Sequence, residues 1–189
     1  KAFKRANLKF KKPKCSFGFK TIPFLGFVVS ENGVHPNPNK VKLIREFPVP
    51  KTPKQVKSFN GLATYYQSFI PHFAMTMQPL YELTKKNIKF IWKPTHQQAF
   101  DKIKKSIADD VVLKYPNFSK SFTIATDSSK IAVGACISQL DCERNLRPVA
   151  FAGRKLSTAE RNYSVTDQEL VGIKFALMKF EHYVIGRKF

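Results

Sequence analysis

The spacing of apolar residues changes twice along the chain, and each change indicates a different kind of structure. The run Ile22–Val29 is rich in β-branched and aromatic residues, and Asn32-Gly33 then offers the positive backbone angles of a tight turn before Val34. We therefore predict a single β-hairpin over residues 22–35, with a short second strand.

Between residues 37 and 113 apolar side chains recur at three- and four-residue steps, which predicts short amphipathic helices. Asn37-Pro38 supplies an N-cap and a proline at the first helical position, and Thr52–Gln55 and Thr95–Gln98 each fit a capping box. A further helix is expected around Leu80 and Leu83. The predicted core positions of the two capping-box helices are Val56, Phe59, Ala63, Tyr66 and Ile70, and Ala99, Phe100, Ile103 and Ile107.

Strand-like patterns replace the helical period after residue 117. Three strands are predicted, Phe122–Asp127, Ile131–Gln139 and Arg147–Ala152, with Asp141–Asn145 as the loop between the last two. Ser164 can cap a final helix, in which Leu170, Ile173, Leu177 and Phe180 recur along one face. The predicted fold is therefore mixed α+β or α/β: a β-hairpin, a small helical domain, and the opening of an α/β domain that does not finish.

The charge of the chain points to a polyanionic partner. Thirty-three Lys and Arg against 13 Asp and Glu give a net charge of +20, far more than solubility requires. Fourteen of the basic side chains, but only two acids, lie in residues 1–81. Residues 1–20 interleave eight basic side chains with phenylalanines, which predicts either a nucleic-acid-binding arm or a solvated segment with a few core phenylalanines. Nucleic acid explains this charge better than an anionic membrane does.

Other features exclude several classes of protein. No apolar run approaches the roughly 20 residues that span a bilayer, and no secretory signal is visible. Three cysteines without a C-x-x-C pair, and four scattered histidines, argue against a disulfide framework and a structural zinc site. We expect an intracellular location, in a cytoplasmic particle or the nucleus, with no membrane partner and no secretion. Because no Met precedes Met75, we also expect the sequence to be cut from a longer polypeptide.

The strongest chemical signal is a pair of acids on two different elements. Asp127 ends a predicted strand, and Glu169 lies in the first turns of the final helix. Two carboxylates carried together into partly dry surroundings need a positive charge, and neither motif contains a Lys or Arg at an obvious pairing position. A divalent metal ion would neutralise them and could activate water. Taken singly, Asp127 can instead form an Asx turn, and Glu169 can complement the positive end of its helix.

The helix that begins after Thr52 carries two further sets of candidates. Lys54 and Lys57 are three residues apart and can either grip phosphates or form a solvated face. Aromatic residues on the same helix can stack on bases, although helical spacing is more typical of core residues. We assign Tyr66 to the core and leave open whether Tyr65 is a core residue or stacks on bases.

Spaced matches to one family run through nearly the whole chain. They include Lys14-Cys15, Phe24–Ser30, Tyr65-Tyr66, Phe69-Ile70, Phe90–Trp92, Thr126–Ser129, Gly134-Ala135, Tyr163, Glu169-Leu170 and Gly186–Phe189. These residues resemble the Pol polyprotein of gypsy-type long-terminal-repeat retrotransposons, from the reverse transcriptase thumb into the N-terminal half of the ribonuclease H domain. The match is specific because so many separate positions agree.

The resemblance implies a division of the chain and a metal site. Residues 1–36 would form the terminal palm hairpin with a basic N-terminal segment, 37–115 the helical thumb, and 116–189 the N-terminal half of a ribonuclease H-like domain. Asp127 and Glu169 match the first two carboxylates of the family's ribonuclease H site. In the family these carboxylates hold Mg²⁺, in a two-ion site, for hydrolysis of the RNA strand of an RNA/DNA hybrid.

The resemblance also implies a nucleic-acid surface. The segment at residues 24–26 matches a hairpin that grips the primer end, and the helix from Pro53 to Ile70 would lie against the duplex. Together with the lysines of that helix, the candidate nucleic-acid-binding residues are Phe24, Leu25, Gly26, Lys54, Gln55, Lys57 and Tyr65.

Two departures from the family limit the expected activity. No acid precedes Glu31 to replace the paired polymerase aspartates, and the strand that carries the third ribonuclease H carboxylate would follow Phe189. We expect this chain to be a fragment of a parent protein that performs RNA-directed DNA synthesis and RNA-strand hydrolysis. The fragment alone is expected to bind Mg²⁺ weakly and to be inactive. Its expected partners are RNA/DNA hybrid or duplex nucleic acid and the rest of the Pol polyprotein. The alternative is a domesticated, non-catalytic module that binds nucleic acid or protein.

Overall fold

The structure is a computed structural model that describes residues 2–9, 11, 15–109 and 111–189. Within these residues, 3₁₀ helices at Gln67–Phe69 and Glu160–Asn162 accompany the main elements. Phe10 of the basic segment and Lys14 of the family resemblance lie outside the described residues. The main elements are α1 (Ala2–Arg5), β1 (Thr21–Phe24), β2 (Phe27–Ser30), β3 (Gly33–Pro36), α2 (Pro38–Arg45), α3 (Pro53–Tyr65), α4 (Phe73–Glu82), α5 (Pro94–Ala108), β4 (Thr123–Ser128), β5 (Ala132–Leu140), β6 (Leu146–Lys155), α6 (Val165–Lys179) and α7 (Glu181–Val184).

The first sheet contains three antiparallel strands in the order β1-β2-β3, so the prediction of a single hairpin is wrong. A turn at Leu25-Gly26 divides the β-rich run, with φ of 45° at Leu25 and 75° at Gly26. Two central residues with positive φ match the twist of the flanking strands, which favours such two-residue turns. The propensity of the run concealed this turn because leucine rarely adopts a left-handed conformation. The second turn falls at Glu31-Asn32.

The helices begin close to the predicted caps, with two corrections. The side chain of Asn37 accepts a hydrogen bond from the Asn39 N–H at 3.0 Å, and Thr52 caps α3. The Gln55 side chain does not close the predicted capping box, because its Oε1 accepts from the Lys51 N–H at 2.7 Å. Helix α5 begins at Pro94, earlier than predicted, since Lys93 is the N-cap and its N–H donates to His96 Nδ1 at 2.8 Å.

Helix α3 ends at Tyr65 rather than continuing to Ile70. Ile70 is extended, with φ −113° and ψ 112°, because the residue before a proline, here Pro71, avoids the helical region. A 3₁₀ turn over residues 67–69 nevertheless keeps the apolar side chains directed inward. The predicted core positions of α3, its extension and α5 are all buried: Val56, Phe59, Ala63, Tyr66, Ile70, Ala99, Phe100, Ile103 and Ile107.

The second sheet, in the order β4-β5-β6, is covered by helices on both faces. Helix α6 packs against β4 and β5 on one face, while α4 and the preceding 3₁₀ helix pack against β5 and β6. A glycine permits the approach of α6, because a Cβ on Gly172 of this helix would lie 2.6 Å from Ser128 Oγ. The packing of α4 on this sheet crosses the domain boundary that we predicted at residue 115.

The buried side of α6 differs from the predicted one. Ser164 caps the helix as expected, accepting from the Asp167 N–H at 3.2 Å. However, Leu170, Ile173 and Leu177 are exposed, and the residues that face the sheet are Gly172 and Ala176 with Gln168. The close approach of α6 to the sheet requires small side chains, so the apolar stripe points outward. Phe180, just after the helix, is buried as predicted.

Two further observations concern the phenylalanines of the N-terminal segment and the length of the helices. Phe3, Phe17 and Phe19 are exposed, so they are not core phenylalanines. Among the described residues, no helix has the length and apolar character needed to cross a bilayer.

Candidate nucleic-acid and metal-binding sites

The tip of the first hairpin is fixed to the end of α3 by two consecutive tyrosines. The Tyr65 hydroxyl donates to the Leu25 carbonyl, and the Tyr66 hydroxyl donates to the Gly26 carbonyl at 3.0 Å. The Tyr65 ring also stacks on Phe27, with ring centroids 5.1 Å apart and planes 9° apart. The structure therefore brings Leu25, Gly26 and Tyr65, which we predicted as nucleic-acid contacts, into one assembly.

The two tyrosines differ in exposure, since Tyr66 lies in the core and Tyr65 is partly open to solvent. Tyr66 is buried, as predicted, and burial together with the nearby Tyr65 raises the pKa of its phenol. Tyr65 is 48% exposed, and Phe24 and Leu25 at the tip are 60% and 71% exposed. Apolar and aromatic groups are thus presented to solvent on a rigid support, which is the arrangement that base or sugar stacking requires.

One side of α3 forms a continuous exposed surface that ends at this tip. Lys54, Lys57, Gly61 and Tyr65 are exposed and lie at three- and four-residue steps, so they share a face, which we call the α3 face. Lys54 and Tyr65 are about 16 Å apart along the helix axis. Gly61 lies between them, and apart from the helix's own backbone and the adjacent residues no described atom is within 4 Å of the position that its Cβ would occupy. The centre of the α3 face is therefore flat and open.

The charge at the start of α3 suits an anion. Lys51, Lys54 and Lys57 are exposed, and the first turn contains no acid. The positive end of the helix dipole adds to their charge. Gln55, predicted as a backbone contact, uses its carbonyl oxygen to hold Lys51 in place, which leaves its amide N–H groups as donors.

Asp127 lies on β4, opposite Gly134 of β5, and its carboxylate is about half exposed. Ser128 and Thr126 face Gly172 of α6, so strand alternation directs Asp127 to the other face of the sheet. There its Oδ2 lies 3.2 Å from Nδ1 of His72, at the start of α4. This imidazole is the one charged or potentially charged partner of Asp127 among the described residues.

Glu169 lies in α6, next to the point where this helix contacts β4. The Ser128 hydroxyl donates to the Gln168 carbonyl at 3.0 Å, and this hydrogen bond joins the chain neighbours of the two acids. The Glu169 residue is exposed, and its side chain has no hydrogen bond or ion pair within the described part of the chain. Asp127 and Glu169 thus lie on two neighbouring elements, β4 and α6, which are joined through Ser128 and Gln168.

The two acids fit a hard divalent cation but do not by themselves form a closed site. Carboxylate oxygens are the ligands that Mg²⁺ prefers, and Mg²⁺ usually retains several waters beside one or two carboxylates. No Lys or Arg of the described residues neutralises Asp127 or Glu169 through an ion pair. No group of three or more His, Cys, Asp or Glu suited to a metal is present among the described residues.

Sequence reasoning overlooked two residues at these sites. Gly61 is a glycine in a helix interior, where it costs about 1 kcal/mol relative to alanine, and a glycine at such a position can indicate that another molecule packs closely against the helix. His72 carried no signal, because its contact with Asp127 depends on how α4 docks onto the second sheet.

Comparison with known proteins identifies the class to which this arrangement belongs. Residues 92–189 match the model of a family described as an RNase H-like domain found in reverse transcriptase. The chain belongs to this family. Ribonuclease H-like domains of reverse transcriptases are generally metal-dependent.

Similar sequences are Pol polyproteins of retrotransposons. The chain is 40% identical over 185 residues to the retrovirus-related Pol polyprotein from transposon 297 of Drosophila melanogaster, covering 97% of this chain and 17% of that protein. It is 38% identical to the Pol polyprotein from transposon 412 of the same species, covering 97% and 15%. The Tf2-3 polyprotein of Schizosaccharomyces pombe is 35% identical, with 96% and 14% covered. The chain thus spans less than a fifth of the length of these relatives.

Solved structures confirm the predicted mixed fold. A foamy viral protease-reverse transcriptase in complex with RNA/DNA hybrid aligns with a TM-score of 0.74 and 21% identity, covering 88% of this chain and 23% of that chain. The dRH form in complex with double-stranded DNA gives a TM-score of 0.73 at 21% identity, covering 88% and 29%. At this level of identity the likeness establishes the fold alone.

Proposed function

We propose that this chain supplies the duplex-binding surface and part of the ribonuclease H site of a retroelement reverse transcriptase. The parent Pol polyprotein would carry out RNA-directed DNA synthesis and hydrolysis of the copied RNA, and it would act inside the cell. The observation that carries the proposal is the α3 face, which runs from exposed lysines across an open glycine to the hairpin tip.

The α3 face matches the chemistry of a nucleic-acid backbone. Lysines at its N-terminal end attract phosphates, and duplex binding releases the counterions of those phosphates. Gly61 allows the sugar-phosphate chain to approach the helix, and Tyr65 with Phe24 and Leu25 offers apolar contact at the far end. The proposed ligand is duplex nucleic acid, and RNA/DNA hybrid in particular, the ligand in one of the similar reverse transcriptase structures.

The carboxylates of Asp127 and Glu169 would hold Mg²⁺ at the edge of β4 in the complete enzyme. When bound, Mg²⁺ supplies an activated water and neutralises charge on the leaving oxygen. The two carboxylates would hold the ion, and Ser128, which donates a hydrogen bond to the Gln168 carbonyl, joins the two elements that carry them. Two carboxylates bind Mg²⁺ weakly, so we expect no cleavage by the isolated chain.

A second candidate function is a non-catalytic module that binds nucleic acid or protein. The engagement of Asp127 with His72 favours it, because a carboxylate that contacts an imidazole is less available to a cation. The exposed stripe of Leu170, Ile173 and Leu177 on α6 also offers an apolar surface to a protein partner.

Binding of a labelled RNA/DNA hybrid, measured by fluorescence anisotropy over a range of salt concentrations, tests the proposal. We expect affinity to fall steeply with salt, and the variant Lys54→Ala/Lys57→Ala to reduce the slope of log K against log salt by roughly 1.8. Lys102→Ala/Lys105→Ala on α5 removes the same charge from exposed positions off the α3 face and serves as the control.

Equal effects of the two double variants would contradict the proposed surface. The same protein is then incubated with hybrid and Mg²⁺. Absence of cleavage agrees with a site that needs further ligands, whereas efficient cleavage that Asp127→Asn abolishes would show that the isolated chain is a complete nuclease.

A further inference from the structure

The His72 side chain of the helical region contacts Asp127, the proposed cation ligand of the second sheet. His72 lies between the 3₁₀ helix of residues 67–69 and α4, and its Nδ1 is 3.2 Å from Asp127 Oδ2. The exposed fractions of the two side chains are 53% and 56%. The contact is therefore accessible to water and ions, and it can be broken without unfolding a core.

The backbone holds His72 in this place. The residue is the N-cap of α4 with φ 52° and ψ 30°, and its carbonyl accepts from the Thr76 N–H at 3.0 Å. The imidazole lies above β5, where a Cβ on Gly134 would be 3.8 Å from His72 Nδ1 and from Met75 Cε. A side chain larger than hydrogen at residue 134 would narrow this space.

A second contact fixes the docking of α4 at its other end. The Lys155 ammonium, on β6, lies over the Tyr81 ring of α4, 4.1 Å from its centroid. Helix α4 is thus attached to the sheet along its length, and the His72–Asp127 contact follows from that attachment.

The contact uses an oxygen that a cation would need. A carboxylate has two oxygens, and Oδ2 of Asp127 is occupied by the imidazole. A cavity of about 150 Å³ lies at this point, lined by Pro71, His72, Asp127, Gly134 and Cys136 among others. A hydrated Mg²⁺ retains several waters, and an ion that binds Asp127 Oδ2 would have to take the place of the imidazole.

We propose that His72 is a positioning residue that competes with divalent cation for Asp127. While α4 is docked, the imidazole keeps the carboxylate turned toward the helical region; a cation binds when Asp127 Oδ2 exchanges the imidazole for the ion. This inference rests on the proposed function, in which Asp127 is a cation ligand. It adds a device that couples the helical region to the site.

Manganese serves as the probe, because bound Mn²⁺ broadens the NMR signals of nearby groups. The full chain, labelled with ¹⁵N, is titrated with Mn²⁺ while the Asp127 amide signal is followed. His72→Gly removes the imidazole at a position with positive φ, which glycine adopts without strain. His72→Asn is a second variant, since asparagine also tolerates this conformation.

Both variants should need about two- to fivefold less Mn²⁺ than the wild type for half-broadening at Asp127, the range expected for loss of an exposed competing pair. A purely structural role would not tighten binding, so the direction of the change is diagnostic. The exposed His182 provides the matched control, and His182→Ala should leave the titration unchanged.

Two failures can be told apart. If Asp127→Asn leaves the broadening at residue 127 intact, Asp127 is not a cation ligand and the proposed function fails. If Asp127→Asn removes the broadening but the His72 variants bind Mn²⁺ equally or more weakly than wild type, the competition is refuted and the proposed function stands.

Discussion

The α3 face with the hairpin tip and the pair Asp127 and Glu169 differ in how firmly the fold holds them. At the tip, consecutive tyrosine hydroxyls bond consecutive carbonyls, and Tyr65 stacks on Phe27. The two acids are exposed on the second sheet and α6: Asp127 has one imidazole partner, and Glu169 has no side-chain partner among the described residues.

This difference leads us to predict two modes of ligand binding within one chain. A surface fixed by hydrogen bonds and stacking loses little conformational entropy when a duplex binds it. A cation that binds both Asp127 and Glu169 would neutralise the two carboxylates, so we expect their arrangement to depend on that ligand. We therefore expect substitutions at the first region to affect folding and duplex binding, and those at the second to affect cation binding with little loss of stability.

The largest expected effect comes from Gly26→Ala. Gly26 has φ 75°, and a Cβ there would lie 2.8 Å from the Tyr65 hydroxyl oxygen. We expect a loss of roughly 2–4 kcal/mol in the free energy of unfolding, measured by urea denaturation, from the backbone cost and the clash together.

The control for Gly26→Ala is Gly186→Ala. Gly186 has φ 67° but no atom within 4 Å of its Cβ position, so only the backbone cost, about 1 kcal/mol, applies. Equal losses for the two variants would show that the hairpin tip is not tightly held against Tyr65.

An intermediate effect is expected at Gly61, in the centre of the α3 face. Gly61→Ala should raise the free energy of unfolding by about 0.5–1 kcal/mol, because alanine favours a helix interior, and should weaken hybrid binding slightly, because its methyl group lies where the sugar-phosphate chain would approach. Gly61→Glu places a negative, bulky side chain against the phosphates, and we expect affinity to fall about tenfold at low salt. Fluorescence anisotropy measures hybrid affinity and thermal unfolding measures stability, so the two effects can be separated. Wild-type affinity of the Gly61→Glu variant would show that Gly61 does not lie on the binding surface.

The smallest expected effect concerns the ion pair between Arg154 of β6 and Glu160, which lies in the 3₁₀ helix before α6. Arg154 holds Glu160 through two hydrogen bonds of 2.8 Å, and this lowers the pKa of the Glu160 carboxyl from 4.5 to about 2. The ionised pair stabilises the fold above pH 4.5, and its contribution is lost as the pH falls from 4.5 toward 2.

The variant Glu160→Gln tests this pH dependence. Its melting temperature should be below that of wild type near neutral pH, and the difference should shrink as the pH falls from 4.5 toward 2, where half of the Glu160 carboxyls are protonated. A difference that stays constant over this range would mean that Glu160 acts through something other than its charge.

Local signals predicted most of the helices and strands, and tertiary packing decided the rest. The caps at Asn37, Thr52 and Ser164 and the core stripe of α5 followed from short-range chemistry. The turn at Leu25-Gly26 did not, because it places leucine in a left-handed conformation that only its tertiary setting stabilises.

The outward stripe of α6 had the same kind of cause. Periodicity identifies the apolar side of a helix but not the surface that it packs against. Here the side that packs on the sheet carries the small residues Gly172 and Ala176, because Ser128 leaves no room for a side chain at residue 172. Leu170 and Ile173 are therefore exposed. Among the site residues, the sequence does not decide whether Tyr65 is a core or a stacking residue, because its exposure depends on how the hairpin tip packs against α3. The roles of Asp127 and Glu169, and the domain boundaries, remain predictions.

The most direct test of the account is to map where an RNA/DNA hybrid binds. Unlabelled hybrid is added to the ¹⁵N-labelled full chain without divalent cation, and the change in each backbone amide signal is recorded. We predict that the largest changes follow the α3 face, at Lys57, Gly61 and Tyr65, and continue into Leu25 at the hairpin tip. Changes confined to residues 116–189, with α3 unaffected, would contradict the account.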